Sequence, residues 1–279
     1  GLSIDGMHQW GDKTSHFAKA DKKPTEILSV IRIINYKYSH IVNCRIRNIY
    51  GQTIYINSDD SNRYKDSTIR ASYVQIYNNN LYNCWGQRFY KTSDGVFDNY
   101  GDGINVSCAA NGAVFNNIVY NNLTETGNYG RLGIGYDFQS SNIKFINNRV
   151  HGYDRNIHIE NSRGGFLIAN NKITGSEVGI LIWPLNIFES PNRPLIIRKN
   201  YISNWGIPIS FTSSRVMALY SGLINFLFDT RIHDNTLVEG NTIELDKNYD
   251  YTINPTRNPY GAILPIYCNQ KYVTFKNNK

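Results

Sequence analysis

The run from Gly152 to Asn161, "GYDRNIHIEN", crowds an aspartate, an arginine, a histidine and a glutamate into ten residues. Ile157 and Ile159 alternate with His158 and Glu160, the period of a strand with one face buried and the other outward. Asp154 and Arg155 stand just before the strand. Two carboxylates at a set distance can hydrolyse a glycosidic bond: one protonates the leaving oxygen, and the other, ionised, acts as base or nucleophile. Like charges close together push one pKa upward, so that one acid stays protonated near neutrality. Arginines add a two-pronged donor for a carboxylate on the substrate. Glu160 then needs a second carboxylate and a fold that sets the two side by side.

Self-similarity along the chain supplies the fold. The segments "IVNCRIRN", "VQIYNNNLYN", "AVFNNIVYNN", "IKFINNRVHG", "FLIANNKITG", "LIIRKNYISN", "IHDNTLVEGN" and "VTFKNNK" share alternating apolar residues leading to an Asn. They align Cys44, Asn79, Asn117, Asn148, Asn171, Asn200, Asn235 and Asn278 in one column, at intervals of 23 to 43 residues. A second short strand follows in most copies: "QTIYIN", "DGINVS", "LGIGYD", "RNIHIE", "VGILIW", "GIPISF" and "NTIELD". A solenoid keeps such a motif because each turn buries its apolar stripe only against the turns above and below. Short strands with variable loops between fixed columns indicate an all-β parallel β-helix. Stacked Asn amides would satisfy backbone groups otherwise buried at the bend.

Repetition turns sequence into adjacency, since equivalent residues on neighbouring turns stand roughly 4.8 Å apart. Ile104, Ile134, Ile157, Ile180 and Ile207 align as an inward column, followed by Val106, Tyr136, Ile159, Ile182 and Ile209. The outward columns read Asn105, Gly135, His158, Leu181, Pro208 and then Ser107, Asp137, Glu160, Trp183, Ser210. Asp137 and Glu160 are thus expected to be outward neighbours with His158 on the same face. Asp102 and Arg155 share the column before the strands, with Arg131 and Asp154 one residue further out. Separation of roughly 5 Å suits a retaining mechanism, and a wider pair such as Asp102 with Glu160 suits inversion. Arg131 and Arg155 would hold an anionic sugar, while Trp183, Tyr153 and Trp205 offer faces for sugar rings. A plainer reading has Asp137 and Glu160 opening turns, their charges neutralised by the arginines, and His158 as a surface histidine. Loops Ser58 to Ser72 and Trp85 to Tyr100, with Asp59, Asp60, Asp66 and Asp94, are alternative locations.

Composition agrees with a strand-and-turn protein: of 279 residues, 18% are charged and 13% aromatic. The net charge of +7 favours anionic partners. Its scatter, without a basic block or nucleic-acid motif, favours acidic glycan over nucleic acid. No stretch approaches the ~18 apolar residues of a membrane span, and no signal-like segment opens the chain. Cys44, Cys84, Cys108 and Cys268 lack metal or redox spacing and read as free buried thiols. Asn105-Val106-Ser107 and Asn122-Leu123-Thr124 match the glycosylation sequon, a frequent accident in an Asn-rich chain. Arg215 to Arg231, the most apolar run, reads as an insertion that covers the flank of the solenoid or meets another subunit.

The opening "GLSIDG", the repeated apolar-x-x-Asn-x-apolar unit and the Gly-Ile-x-Ile strands resemble the right-handed parallel β-helix superfamily of pectate lyases, polygalacturonases and bacteriophage tailspikes. The resemblance implies a right-handed single-stranded parallel β-helix with loop insertions, one domain over residues 1–279, cut from a longer polypeptide. "GDGI" at Gly101 to Ile104 resembles the polygalacturonase Asn-Thr-Asp-Gly motif through Asp102, but the Asp-Asp, Gly-His-Gly and Arg-Ile-Lys elements are missing. Asp59, Asp60 and Asp66 are too loose for the calcium cluster of a pectate lyase. The resemblance is therefore greatest to a tailspike-type depolymerase. It implies hydrolysis of bacterial capsule or O-antigen, a homotrimer, and an extracellular place on a virion tail, with no cofactor or metal, no nucleic acid and no membrane insertion. A noncatalytic glycan-binding β-helix is one alternative. A polysaccharide lyase, with His158 near Arg155 as the base, is another.

Overall fold

The computed structural model describes residues 2–5, 29–58, 71–85, 89–91, 96–98, 101–121, 130–137, 140–160, 163–183, 194–211, 236–244, 266–268 and 273–279. Among the described residues every regular element is a strand, and all pairings are parallel except one hairpin, Phe89–Lys91 with Val96–Asp98. The Arg215 to Arg231 insertion and the loop aspartates Asp59, Asp60, Asp66 and Asp94 lie outside the described residues.

Two large sheets carry the architecture. An eight-stranded sheet collects one short strand per repeat, among them His40–Val42, Gln75–Tyr77, Ala113–Phe115, Lys144–Ile146 and Leu167–Ala169. A fourteen-stranded sheet has two limbs. Its first limb holds the strands that follow the Asn column, such as Asn80–Trp85, Ile118–Tyr120 and Arg149–His151; its second holds Gln52–Asn57, Asp102–Ser107, Leu132–Asp137 and Arg155–Glu160. Lys172–Trp183 and Tyr201–Phe211 run through both limbs, pairing with one another across the bend. Central residues from the small sheet (Ile76, Val114, Phe145), the first limb (Leu81, Val119, Val150) and the second limb (Ile104, Ile134, Ile157) share one apolar core. The architecture is all-β with parallel sheets and is compatible with a parallel β-helix.

The Asn column forms a continuous ladder. The Oδ1 of Asn148 accepts both the backbone N–H and the Nδ2 of Asn117, each at 3.0 Å. Its own Nδ2 donates to the Val114 carbonyl at 2.9 Å and to Asn171 Oδ1 at 3.0 Å. The same scheme links Asn79, Asn117, Asn148, Asn171, Asn200, Asn241 and Asn278, and Cys44 heads the column by donating its N–H to Asn79. The residue before each ladder position is left-handed: Asn43, Asn78, Asn116, Asn147, Asn170, Lys199, Gly240 and Asn277 all have φ between 51° and 61°. Asn tolerates that conformation better than other L-residues, which accounts for the recurring Asn-Asn doublets.

The ladder corrects the alignment of the seventh copy. Asn241, not Asn235, occupies the column, because Thr236–Glu239 pairs with Ile196–Arg198 so that Leu237 faces Ile196. Asn235 itself lies outside the described residues. "NTIELD" accordingly joins the first limb, where Thr242 pairs with Tyr201, and Ile266–Cys268 takes the second-limb position. The correct register places the buried Val238 in the core. The thiols of Cys44, Cys84 and Cys108 are buried and form no disulfide among the described residues.

Replacing Asn148 by Ala strips acceptors from two Asn117 donors and a donor from Val114. Each buried orphan costs about 1–3 kcal/mol, so a loss of about 3–5 kcal/mol is expected in denaturant unfolding. Asn278→Ala, at the half-buried end of the ladder where water can substitute, is expected to cost about 1 kcal/mol.

Candidate functional site

The second limb sets the register of the candidate residues. Ile54, Ile104, Ile134, Ile157 and Ile180 pair in sequence across its strands and are all fully buried. Beside Ile180 stands Ile209, not Ile207, which pairs with Val178. Lys172–Trp183 and Tyr201–Phe211 keep one offset of 29 residues through the bend, the same offset that separates Asn171 from Asn200 in the ladder. Ser210, rather than Pro208, therefore stands beside Leu181.

At the start of these strands the structure builds an ion pair. Asp102 is fully buried and accepts a fork from Arg131, Nε to Oδ1 at 2.9 Å and Nη2 to Oδ2 at 2.6 Å. Its Oδ2 also accepts Nε2 of Gln52 at 2.8 Å and Nδ2 of Asn105 at 3.1 Å. Ser29 Oγ extends the chain by donating to Gln52 Oε1 at 3.2 Å. Sequence reasoning missed Gln52 and Asn105, although Gln52 begins "QTIYIN" in the column that holds Asp102. Asp102 does not form the inverting pair with Glu160 that its repeat position suggested. It opens its strand at the level of Leu132 and Arg155, whereas Glu160 closes the next strand but one. Those levels are five residues, about 16 Å, apart along the strands, against about 6.5–9.5 Å for inverting carboxylates. Arg131, engaged with Asp102, is correspondingly a structural cation.

At the far end of the strands His158 and Glu160 come together, with Nε2 and Oε2 at 2.9 Å. His158 is not a surface histidine: it is 1% exposed, between Gly135 and the buried Leu181 on the flanking strands. At Gly135 the Leu132 side chain occupies the space a Cβ would take. Glu160 keeps 16% of its side-chain surface and so reaches solvent with the imidazole behind it. With Glu160 ionised, Nε2–H donates to it; proton transfer along the same contact leaves a carboxylic acid facing outward.

The backbone register puts two more candidates at this end. Trp183 is the strand partner of Glu160. Asp137 follows Tyr136, which pairs with Ile159, so it stands one strand from Glu160, about 4.8 Å away in backbone spacing. The side chains of Asp137, Trp183 and Trp205 lie outside the described residues; Trp205 pairs with Ser176 at the bend, away from Glu160. Arg155 is half-buried at the opposite end of the Glu160 strand. Asp154 is buried, its backbone linking Gly130 and Val178.

Tyr153 cannot stack on a sugar, because it is a core residue with no exposed surface. Burial first, and then the neighbouring Cys84 and Asp102, push its phenol well above the ordinary value. Burial likewise drives the Cys84 thiol far up; its Sγ donates to the carbonyls of Gly51 and Asp102. Neither group can serve as a base. Asn105 of the first sequon is 2% exposed, out of reach of a glycosylating enzyme; the second sequon lies outside the described residues, apart from its flank at Asn121.

Comparison with protein-family models, curated proteins and solved structures finds no match for this chain.

Asp102→Asn should remove the counter-charge of the Arg131 guanidinium and lower stability by about 3–5 kcal/mol in denaturant unfolding, and Asp102→Leu plus Arg131→Met should recover only part of the loss, because it orphans the buried donors of Gln52 and Asn105. A second expectation concerns His151, stacked on Tyr120 at 4.5 Å with Nδ1 and Thr174 Oγ1 2.8 Å apart. Burial lowers its folded pKa below 6.5. Its contribution is present in full above that value and is lost as pH falls through the folded pKa, because the unfolded chain binds the proton first. Melting temperature should therefore fall between pH 7 and pH 5, less steeply in His151→Phe, which keeps the stack.

Proposed function

We propose that the two large sheets are faces of one right-handed parallel β-helix and that the chain is a tailspike-type depolymerase that binds and hydrolyses a bacterial surface polysaccharide. The observation that carries the reading is Glu160: a carboxylate at the end of a parallel strand, open to solvent, braced from behind by a buried histidine and flanked in register by an aspartate and a tryptophan. In this reading Glu160 is the acid/base. It protonates the glycosidic oxygen as the bond to the anomeric carbon breaks, and His158 holds it in position and shares its proton. Asp137 is the second carboxylate. The strand spacing that separates them suits a retaining reaction, in which Asp137 forms a glycosyl intermediate and water, deprotonated by Glu160, releases it. Trp183 supplies a ring face for a sugar. The net charge of +7 suits an acidic polymer. By the same resemblance the protein works as a homotrimer on a virion tail.

A noncatalytic glycan binder is the second reading, favoured by the locking of Asp102 in the Arg131 fork, which leaves one fewer carboxylate for chemistry. Incubation with capsular and lipopolysaccharide polymers, following chain length and ultraviolet absorbance together, separates the possibilities. Shortening without absorbance is expected. Glu160→Gln and Asp137→Asn should each lower the rate by about 10²–10⁴, and His158→Gln should shift the pH profile more than it changes KM. Shortening that survives both carboxylate changes sinks the hydrolase assignment, unsaturated products move it to a lyase, and binding without shortening makes the surface a recognition site.

A further inference from the structure

A separate groove opens on the outer side of the eight-stranded sheet, away from the strands that carry Glu160. It has a volume of about 440 Å³ and is lined by Gln75, Asn111, Ala113, Asn142 and Lys144, with glycines 112 and 165 at its floor and rim. The repeat builds it by omission. Gln75, Ala113 and Lys144 are register partners on three successive strands, so a methyl group lies between two long polar side chains. The outer two strands stand about 10 Å apart, enough to admit one sugar ring between the side chains. Both glycines are confined: a Cβ on Gly112 would lie 3.0 Å from the Val74 carbonyl, and one on Gly165 would run into Asn142 Oδ1.

The rim is a ladder of left-handed residues, Tyr38, Tyr73, Asn111, Asn142 and Gly165, with φ between 54° and 79°. Within it Asn142 Nδ2 donates to Asn111 Oδ1 at 3.0 Å, so the pair presents Asn111 Nδ2 as a donor and Asn142 Oδ1 as an acceptor. Tyr73 is next to Asn111 in this column, its N–H bonded to the Ala110 carbonyl. It stacks on Tyr38 at 5.0 Å and 7°, with the two residues 45% and 70% exposed. Amide donors and acceptors and an ammonium in the groove, with the Tyr38–Tyr73 stack further along the rim column, match a ligand rich in hydroxyls and carrying a negative charge.

We propose that this groove is a second saccharide subsite, taking an acidic sugar unit with its carboxylate toward Lys144 and its hydroxyls on the amides of Gln75, Asn111 and Asn142. A polymer engaged here is held on the protein independently of the residues that surround Glu160. The choice of a saccharide rests on the polysaccharide reading above; the groove and its chemistry do not.

The test is calorimetric titration with short oligosaccharides, uronic-acid-containing and neutral, on the whole chain. Binding of the uronic-acid series is expected to weaken about tenfold in Lys144→Ala, the loss of one charge-assisted hydrogen bond, with the neutral series less affected. Ala113→Trp should abolish the groove's share of binding for both series, leaving any binding beside Glu160, with an unchanged thermal melt showing that it folds. Glu160→Gln should leave this binding as it is. Binding insensitive to Ala113→Trp and Lys144→Ala, or lost in Glu160→Gln, overturns the subsite. Polymer cleavage that needs Glu160, with no saccharide affinity in the groove, overturns the subsite and leaves the hydrolase reading standing. Groove binding without polymer cleavage does the reverse, and a protein with neither loses both.

Discussion

Everything described here hangs on a column of asparagine amides. A bend between two strands buries a backbone N–H and a carbonyl that the sheets cannot pair, and burying either alone costs more than most single contacts return. Each Asn resolves this with one side chain. Its oxygen takes the N–H and amide of the Asn before it, and its nitrogen reaches a strand carbonyl and the next Asn. Because every member is both donor and acceptor, the column cannot slip by a residue without orphaning a whole chain of buried groups. The left-handed residue before each rung makes the turn that points the amide inward.

That constraint propagates to the candidate site. The offset of 29 residues between Asn171 and Asn200 continues through two long strands into the second limb, and it decides that Ile209 rather than Ile207 meets Ile180. Positions around Glu160 inherit their neighbours in the same way. Gly135 sits beside His158 because Tyr136 sits beside Ile159, and the space its missing Cβ leaves is taken by the Leu132 side chain. The candidate chemistry is thus a consequence of register.

The two ends of the second limb use their polar residues in opposite ways. Asp102 is surrounded by four N–H donors from Arg131, Gln52 and Asn105 and is sealed from solvent, an arrangement that resists any change at that carboxylate. Glu160 meets the His158 ring nitrogen at 2.9 Å and keeps part of its side chain at the surface. Charge enclosed by donors holds strands together, whereas charge backed by a titratable ring and facing water is suited to exchanging protons.

Periodic apolar residues and Asn doublets announce parallel strands and an amide column directly, since both recur at every repeat and depend only on local pattern. The adjacency of Asp137 with Glu160 and of Glu160 with Trp183 follows from the same columns. Copies with irregular spacers resisted alignment: "IHDNTLVEGN" offers two asparagines, and only strand pairing with Ile196–Arg198 selects Asn241 over Asn235. Burial was also beyond the pattern. Alternation assigns His158 to the outward face, yet that face is covered at Leu181 and His158, and Tyr153 turns into the core beside glycines 103, 130 and 133. The Asp102–Arg131 fork likewise joins residues from different repeats. Order along a strand is written locally, in the spacing of side chains; what lies over a strand, and which charges are shut away from water, depends on residues brought together from distant repeats.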